Sequence, residues 1–339
     1  MTIWLFTLPL IAVLSLLVTG LLRRYALSHS LIDVPNARSS HQQPTPRGGG
    51  VAIVLSFLLA VPVAMALELL SVPASVALLG SGSLVAVIGF MDDHGHIAAR
   101  WRLLGHFVAA IWALYWLQGF APIRIFGVEF NLGWLGVIFA AFYLVWMLNL
   151  YNFMDGIDGL ASVEACTTTL AMCLIYLMNG HLQLLWPALA LCLAVAGFLF
   201  WNFPPARIFM GDAGSGFLGI TLGVLSLQAA WVDPQLFWSW VILLGVFIVD
   251  ATLTLLRRLM RGQKVYEAHR THAYQYASRR LGRHLPVTLS ILVINIVWLM
   301  PIAWAVSYLA LDGLTGVAIA YAPLVVLAWY FGAGEPEIQ

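Results

Sequence analysis

Apolar residues in this chain fall into long runs, and nearly all the charge collects in the short stretches between them. Crossing about 30 Å of hydrocarbon takes roughly 17–25 apolar helical residues. Eleven runs meet or approach that length, at about 2–22, 48–69, 74–90, 103–118, 132–150, 160–178, 183–200, 214–231, 236–256, 287–308 and 313–332. The fourth is short and reads as a tilted span. The pattern predicts an all-α polytopic integral membrane protein with about eleven transmembrane helices. The first run has no basic residue ahead of it, and Arg23 and Arg24 follow it. That is the reverse of a secretory signal, so the run reads as an uncleaved first span with its N-terminus outside.

Eleven spans then put the C-terminus in the cytoplasm, and the distribution of basic residues tests the count. The loops assigned to the cytoplasm hold Arg23, Arg24, Arg38, Arg47, Arg100, Arg102, Arg207, Arg257, Arg258, Arg261, Lys264, Arg270, Arg279, Arg280 and Arg283, whereas the external loops hold Arg124 alone. The external connections are mostly tight turns, such as "SVP", "NGH", "VDP" and "LDG". The cytoplasmic ones are longer: 23–47, 91–102, 151–159, 201–213 and 257–286. We read residues 1–339 as one integral membrane domain whose active site is built from those five loops.

Composition agrees. The chain is 62% hydrophobic and 9% charged over 339 residues, against about 25% charged in soluble proteins. A net charge of +1 says nothing of nucleic acid, and no basic tract suits it, so no nucleic-acid partner is expected. Cys166, Cys173 and Cys192 all lie in apolar runs and form no disulfide framework or metal motif.

The scarce carboxylates are placed where they are costly. "FMDDHG", "FMDGIDG" and "FMGDAGSG" each end or begin an apolar run with aspartate beside glycine, giving Asp92, Asp93, Asp155, Asp158 and Asp212. An aspartate at the centre of a spanning helix costs roughly 2.5–3.5 kcal/mol, and uncompensated neighbours repel. A divalent cation relieves both penalties. Mg²⁺, with Mn²⁺ as a substitute, is the natural candidate, because it is held by one or two carboxylates plus substrate phosphates. Asp155 and Asp158 are spaced i, i+3, as are Asn149 and Asn152, and on a helix each pair would share a face. Asp250 and Glu164 sit in no such motif and read as interfacial residues; Asp33 reads as a loop residue or cap.

Two further stretches suit phosphate. "YEAHRTHAYQ" places His269 and His272 around Arg270 in a loop rich in arginine. "SSHQQPTPRGGG" ends at Arg47 and three glycines, whose N–H groups could meet a phosphate at a helix start. "NFPPARIFMGDAGSG" sets Arg207, Phe209 and Asp212 before another helix, without the lysine ending of a Walker loop. A secondary transporter would carry its acids mid-span and show an inverted repeat. A CDP-alcohol phosphotransferase would need a DGxxAR motif, which the sequence lacks. A lipid-binding scaffold would not need paired carboxylates.

From about residue 30 to 285, "RSSHQQPTPRGGG", "GFMDDHG", "NLYNFMDGIDGLA", "FMGDAGSGFLG" and the histidine loop, in that order, resemble the polyprenyl-phosphate N-acetylhexosamine-1-phosphate transferases, the MraY/WecA family. The overall pattern is closest to the branch that initiates O-antigen. The resemblance implies a UDP-N-acetylhexosamine donor, undecaprenyl phosphate as acceptor, and a multi-pass enzyme of the bacterial inner membrane working at the cytoplasmic face. A homodimer is kept open as an assembly. By motif, Asp212 stands where the family's principal metal ligand stands. Asp92 and Asp93 stand at the aspartate pair that binds metal or handles the lipid phosphate. Asn152, Asp155 and Asp158 match the nucleotide-side motif, with Asn149 beside them, and Phe209 falls where a ring could stack on uracil. Here the histidine motif reads "HRTH", looser than the family's usual pattern. Arg47 occupies the region where the peptidoglycan branch has lysine.

Overall fold

The computed structural model describes residues 2–35, 41, 43–95, 97–264 and 269–336. Arg38 and Glu267 of the cytoplasmic loops lie outside them. Each apolar run of the sequence forms helix. In chain order these are α1 (Thr2–Ser28), α2 (Val51–Ala66), α3 (Val72–His94), α4 (Ala99–Trp116), α5 (Gly133–Met154), α6 (Leu160–Asn179), α7 (Leu185–Asn202) and α8 (Asp212–Val232). They are followed by α9 (Pro234–Leu243), α10 (Gly245–Met260), α11 (Ala273–Leu281), α12 (Leu285–Ile294), α13 (Met300–Tyr308) and α14 (Gly313–Tyr330). A 3₁₀ turn, Leu182–Leu184, leads into α7, and a π-type turn, Asn295–Leu299, joins α12 to α13.

Among the described residues, eight helical segments are long and apolar enough to cross a membrane, and a ninth arises if α9 and α10 count as one span bent by 69°. The protein is therefore a multi-pass integral membrane protein. The two remaining apolar runs form α2, whose 16 residues rise about 24 Å at 1.5 Å each, and α4, which opens with Arg100 and Arg102.

The tight turns are helix caps. Ser71 of "SVP" accepts the Ala74 N–H at 3.4 Å, and Asp233 of "VDP" accepts the Gln235 N–H at 2.9 Å, each with proline in the first turn that follows. Asp312 of "LDG" accepts the Thr315 N–H at 3.0 Å. Such caps satisfy N–H groups that a helix start leaves orphaned. Two features were not legible as elements: a small hairpin of β3 (Ile123–Ile125) and β4 (Val128–Phe130), and α11 within the long loop after α10. A second antiparallel pair, β1 (Ile32–Asp33) with β2 (Thr45–Pro46), folds the first polar loop back towards α2.

α8 is the hub. It is buried over 83% of its spanning stretch, against 22% for α1 and 28% for α14. α3 and α5 pack along it, α4 packs on both of them, and α1, α6 and α7 form the neighbouring group. Glycines permit the closest approaches. A Cβ on Gly50 would lie 2.5 Å from the Gly214 Cα, and one on Gly89 would lie 2.6 Å from the Asp212 carbonyl carbon. The ends of α2 and α3 are thereby drawn against the first turn of α8, where Asp212 stands.

Candidate active site

Four aspartates and their partners meet where the ends of α3 and α5 reach the start of α8. Asp93, on the last turn of α3 and 9% exposed, accepts the N–H groups of Asp212 and Ala213 at 3.2 and 3.3 Å. It caps α8 from a neighbouring helix, and a carboxylate there also faces the positive end of the helix dipole. Asp212 is consequently fixed. Its Oδ1 accepts from Asn152 Nδ2 at 2.9 Å, and that amide also reaches Ser215 Oγ at 3.1 Å. Its Oδ2 lies 3.5 Å from Arg102 Nη1. The same nitrogen donates to Asp92 Oδ2, while Asp92 Oδ1 accepts the Ile97 N–H at 3.0 Å. One guanidinium therefore bridges Asp92 and Asp212, and these two carboxylates face a common point.

Arg47 donates from its guanidinium to the Asp93 carbonyl. With Asp92, Asp93, His94, Gly95 and Asp212 it lines an open recess of about 370 Å³. Behind the recess lies a narrow crevice of about 20 Å³, lined by Asp92, Arg102, His106, Asn149, Asn152 and Asp212 over an apolar floor. Asn149 and Asn152 do share one face of α5, although the Asn149 amide donates to the Val145 carbonyl of its own helix at 2.7 Å.

Asp155 and Asp158 are not on a helix, contrary to the i, i+3 reading. Asp155 follows the last residue of α5, and Asp158 lies in the turn before α6, which Gly156 and Gly159 open. Their roles in the structure differ. Asp155 accepts no hydrogen bond among the described residues. Its burial, then the charges of Asp212, Asp93 and Asp158, push its pKa well above the usual carboxylate range. Asp158 instead ties elements together, accepting the Ala206 N–H at 3.0 Å and pairing with His284 Nδ1 at 3.1 Å.

The glycine loop also differs from its reading. The N–H groups of Gly49 and Gly50 donate to the carbonyls of Phe209 and Met210 at 2.9 and 2.8 Å, so these two are spent on the protein itself. This pairing seats the segment before α8. The Phe209 ring meets His41 edge-on at 4.8 Å, on the Arg47 side of the site. Arg207 rests on the rings of Phe200 and Trp201, 5.6 and 5.7 Å away, so its contacts lie on α7 rather than at the acids.

The two histidines are distinguished. His272 is 3% exposed, with Nδ1 3.3 Å from Asp250 Oδ1. Asp250 also accepts the N–H groups of Ala273 and Tyr274 at 2.9 and 3.0 Å, capping α11. His269 is half-buried and stacks on His272, centroids 4.9 Å apart. Its Nδ1 accepts from the Thr271 N–H at 3.4 Å and lies 3.0 Å from Thr271 Oγ1. The loop docks on the acidic turn: His272 stacks on Phe153, and Tyr274 Oη donates to the Phe153 carbonyl at 2.9 Å. The Arg270 carbonyl accepts from Arg279 Nη2 at 3.1 Å.

Arg102 and His106 belong to this site but lay in no motif singled out above, and Ser215, inside "FMGDAGSG", was given no role there. Arg102 and His106 are four residues apart on α4, a polar pair on one face of a mostly apolar helix, and that spacing was the available signal. Among the described residues, no three Asp, Glu, His or Cys side chains are arranged to cage a metal unaided. Asp92 and Asp212 supply hard carboxylate oxygens around one point already bridged by a cation, which suits Mg²⁺ completed by substrate phosphates.

Comparison with known proteins bears on the same residues. The model of glycosyl transferase family 4 matches residues 75–230, a span that holds every acid of the cluster and stops short of the histidine loop. The chain is 30% identical over 277 residues to the phospho-N-acetylmuramoyl-pentapeptide-transferase of Bacillus licheniformis, covering 74% of this chain and 81% of that one. It is 29% identical over 286 residues to a probable undecaprenyl-phosphate N-acetylglucosaminyl 1-phosphate transferase of Bacillus subtilis, covering 83% and 78%. It is 27% identical over 272 residues to the undecaprenyl-phosphate alpha-N-acetylglucosaminyl 1-phosphate transferase of Thermotoga maritima, covering 80% and 81%.

Proposed function

Since the chain belongs to the MraY/WecA family of polyprenyl-phosphate N-acetylhexosamine-1-phosphate transferases, within glycosyl transferase family 4, we propose that it transfers an N-acetylhexosamine 1-phosphate from a UDP-sugar to undecaprenyl phosphate. The lipid phosphate oxygen forms a bond to the sugar-bearing phosphorus, the anhydride bond to the nucleotide breaks, and UMP leaves. One phosphoanhydride replaces another. The observation that carries this reading is the pair Asp92 and Asp212, aimed at one point beside an open recess where apolar spans end. An acceptor dissolved in lipid and a donor dissolved in water could meet there.

Asp212 and Asp92 would hold Mg²⁺, which supplies positive charge against the diphosphate and the leaving UMP. Asp93 positions Asp212 through the first turn of α8. Both Asp93 oxygens are engaged by N–H groups of α8. That commitment speaks against Asp93 as a nucleophile, and we favour direct attack by the lipid phosphate over a covalent aspartyl intermediate. His269, with Arg270 beside it and His272 behind it, holds phosphate oxygens of the donor. Asn152, Asp155 and Phe209 flank the nucleotide. A donor of the O-antigen-initiating type, rather than the peptidoglycan precursor, is our reading of the overall motif pattern. We place eleven spans in the bacterial inner membrane, N-terminus outside and the acidic cluster at the cytoplasmic face, because fifteen of sixteen basic residues then lie inside.

The test is UMP release by purified protein in nanodiscs with undecaprenyl phosphate, Mg²⁺ and a panel of UDP-sugars that includes UDP-N-acetylmuramoyl-pentapeptide. Release is expected with a UDP-N-acetylhexosamine, is stopped by EDTA and is restored by Mg²⁺. Asp212→Asn should fold normally and lose at least about 10²-fold in kcat, the order of losing one preorganised electrostatic contact. Full activity in that variant removes Asp212 from the role; turnover indifferent to EDTA removes the metal.

A further inference from the structure

Beyond α14 the chain turns back onto the bundle. The Gly332 N–H donates to the Trp329 carbonyl at 2.9 Å, and the Ala333 N–H donates to the Ala328 carbonyl at 2.9 Å. This closure of a helix end needs a left-handed residue, and Gly332 supplies it with φ +72°. Residues 332–335 are thereby laid across the end of α10. There Arg257, counted above among the arginines of the cytoplasmic loops, is buried. A buried guanidinium needs partners, and this short strap supplies them. The Ala333 carbonyl accepts from Nη1 at 2.6 Å, and Glu335 Oε1 accepts from Nη2 at 2.8 Å. The Trp329 ring covers the group, with Cζ 4.1 Å from its centroid. Arg261, one turn further, donates to the Gly334 carbonyl at 2.5 Å.

The strap also meets the histidine loop. The Gly334 N–H donates to the Thr271 carbonyl at 2.7 Å, and the Glu335 carbonyl accepts from Tyr276 Oη of α11 at 2.7 Å. Thr271 is the residue whose N–H and hydroxyl flank His269 Nδ1. The strap therefore ties the end of α10 to the segment that carries His269. Its fit is close. A Cβ on Gly334, where φ is +73°, would lie 2.9 Å from the Arg257 Cβ and 3.0 Å from the Thr254 carbonyl oxygen.

Resting on the reading of His269 as a phosphate-holding group, we propose that residues 332–335 are a positioning segment of the transfer reaction. Anchored on Arg257 and Arg261, they hold Thr271 and Tyr276 in place and so set where the His269 ring stands. Their part in the reaction is exerted through the loop.

The test compares the wild-type protein in nanodiscs with a chain ended after Phe331 and with Gly334→Ala. Diethyl pyrocarbonate acylates accessible imidazoles, and mass spectrometry reads the rate at each histidine. Without the strap, His269 should react about tenfold faster, the order expected when hydrogen bonds that close a loop are lost. His29, exposed just beyond α1, should keep its wild-type rate. The KM for the UDP-sugar should rise about tenfold, in keeping with misplaced phosphate contacts, while the KM for undecaprenyl phosphate stays put. Gly334→Ala should move both readouts in the same direction by less, and it decides alone if the shortened chain does not fold. A wild-type rate at His269 overturns the proposal whatever the activity. So does a faster rate with the KM for the UDP-sugar unchanged, or with both KM values raised together as a merely structural loss would raise them. Absence of transfer by the wild-type protein would instead overturn the proposed function, and the modification rates would still show whether the strap holds His269.

Discussion

Gly89→Ala should disable the site without touching any of its side chains. A Cβ on Gly89 would lie 2.6 Å from the carbonyl carbon and oxygen of Asp212 and from the Ala213 nitrogen. Ordinary contact begins near 3.4 Å, and the opposing atoms are backbone, so α3 and α8 must part by about 0.8 Å. The bonds from Asp93 to the Asp212 and Ala213 N–H groups, now 3.2 and 3.3 Å, would stretch to about 4 Å, beyond hydrogen-bonding range. Overpacking of this kind costs about 1–3 kcal/mol and a lost helix cap about 1 kcal/mol more. Displacing Asp212 by nearly an ångström should lower kcat on the order of 10²-fold. Gly82 is the control, because two turns earlier on the same helix its Cβ would meet the Phe217 ring at 2.7 Å. Gly82→Ala should lower the melting temperature but leave turnover within a few-fold. UMP release and thermal unfolding in nanodiscs read both effects. A Gly89→Ala protein with kcat close to wild type would refute the idea that the approach of α3 to α8 places Asp212.

Other variants probe the charges. Asp155 binds its proton more tightly in the folded protein than in the unfolded chain, so stability falls as pH rises from the ordinary aspartate pKa of 3.8 to the raised folded value. Asp155→Asn should therefore melt higher than wild type at pH 7–8 in cation-free buffer, with the gap closing at pH 4; equal melting temperatures at both pH values would contradict this. Arg102→Ala removes the bridge between Asp92 and Asp212 and should lower kcat at least about tenfold, with Arg102→Lys partly restoring it because charge survives without the fork. A fully active Arg102→Ala would show the bridge to be incidental.

The spans were legible because lipid leaves a long apolar helix few alternatives, and "SVP", "VDP" and "LDG" were legible as turns, although the capping by Ser71, Asp233 and Asp312 shows only in the structure. The bend at Leu244 was not. Residues 236–256 read as one continuous run without proline, and carbonyls at the break are met by Tyr321 and Thr168 from elsewhere in the chain. The structure gathers the acidic motifs at one end of the bundle, but the motifs do not reveal the partner each acid meets there. Asp93 proves to be a cap, Asp158 a tie between turns, and Gly49 and Gly50 a backbone seat, because each role depends on a partner distant in sequence. Arg102 was counted as a topology marker, since nothing in "ARWRLLGH" reveals which carboxylates it will meet.

The central claim is that Asp92 and Asp212 together hold a divalent cation, and binding of Mn²⁺ followed by electron paramagnetic resonance tests it without turnover. The purified wild-type protein should bind one Mn²⁺ per chain, displaced by Mg²⁺ and tightened by a UDP-N-acetylhexosamine, and Asp212→Asn should abolish that signal while remaining folded. Equal Mn²⁺ binding by wild type and Asp212→Asn, or none by wild type with the nucleotide sugar present, would contradict the account.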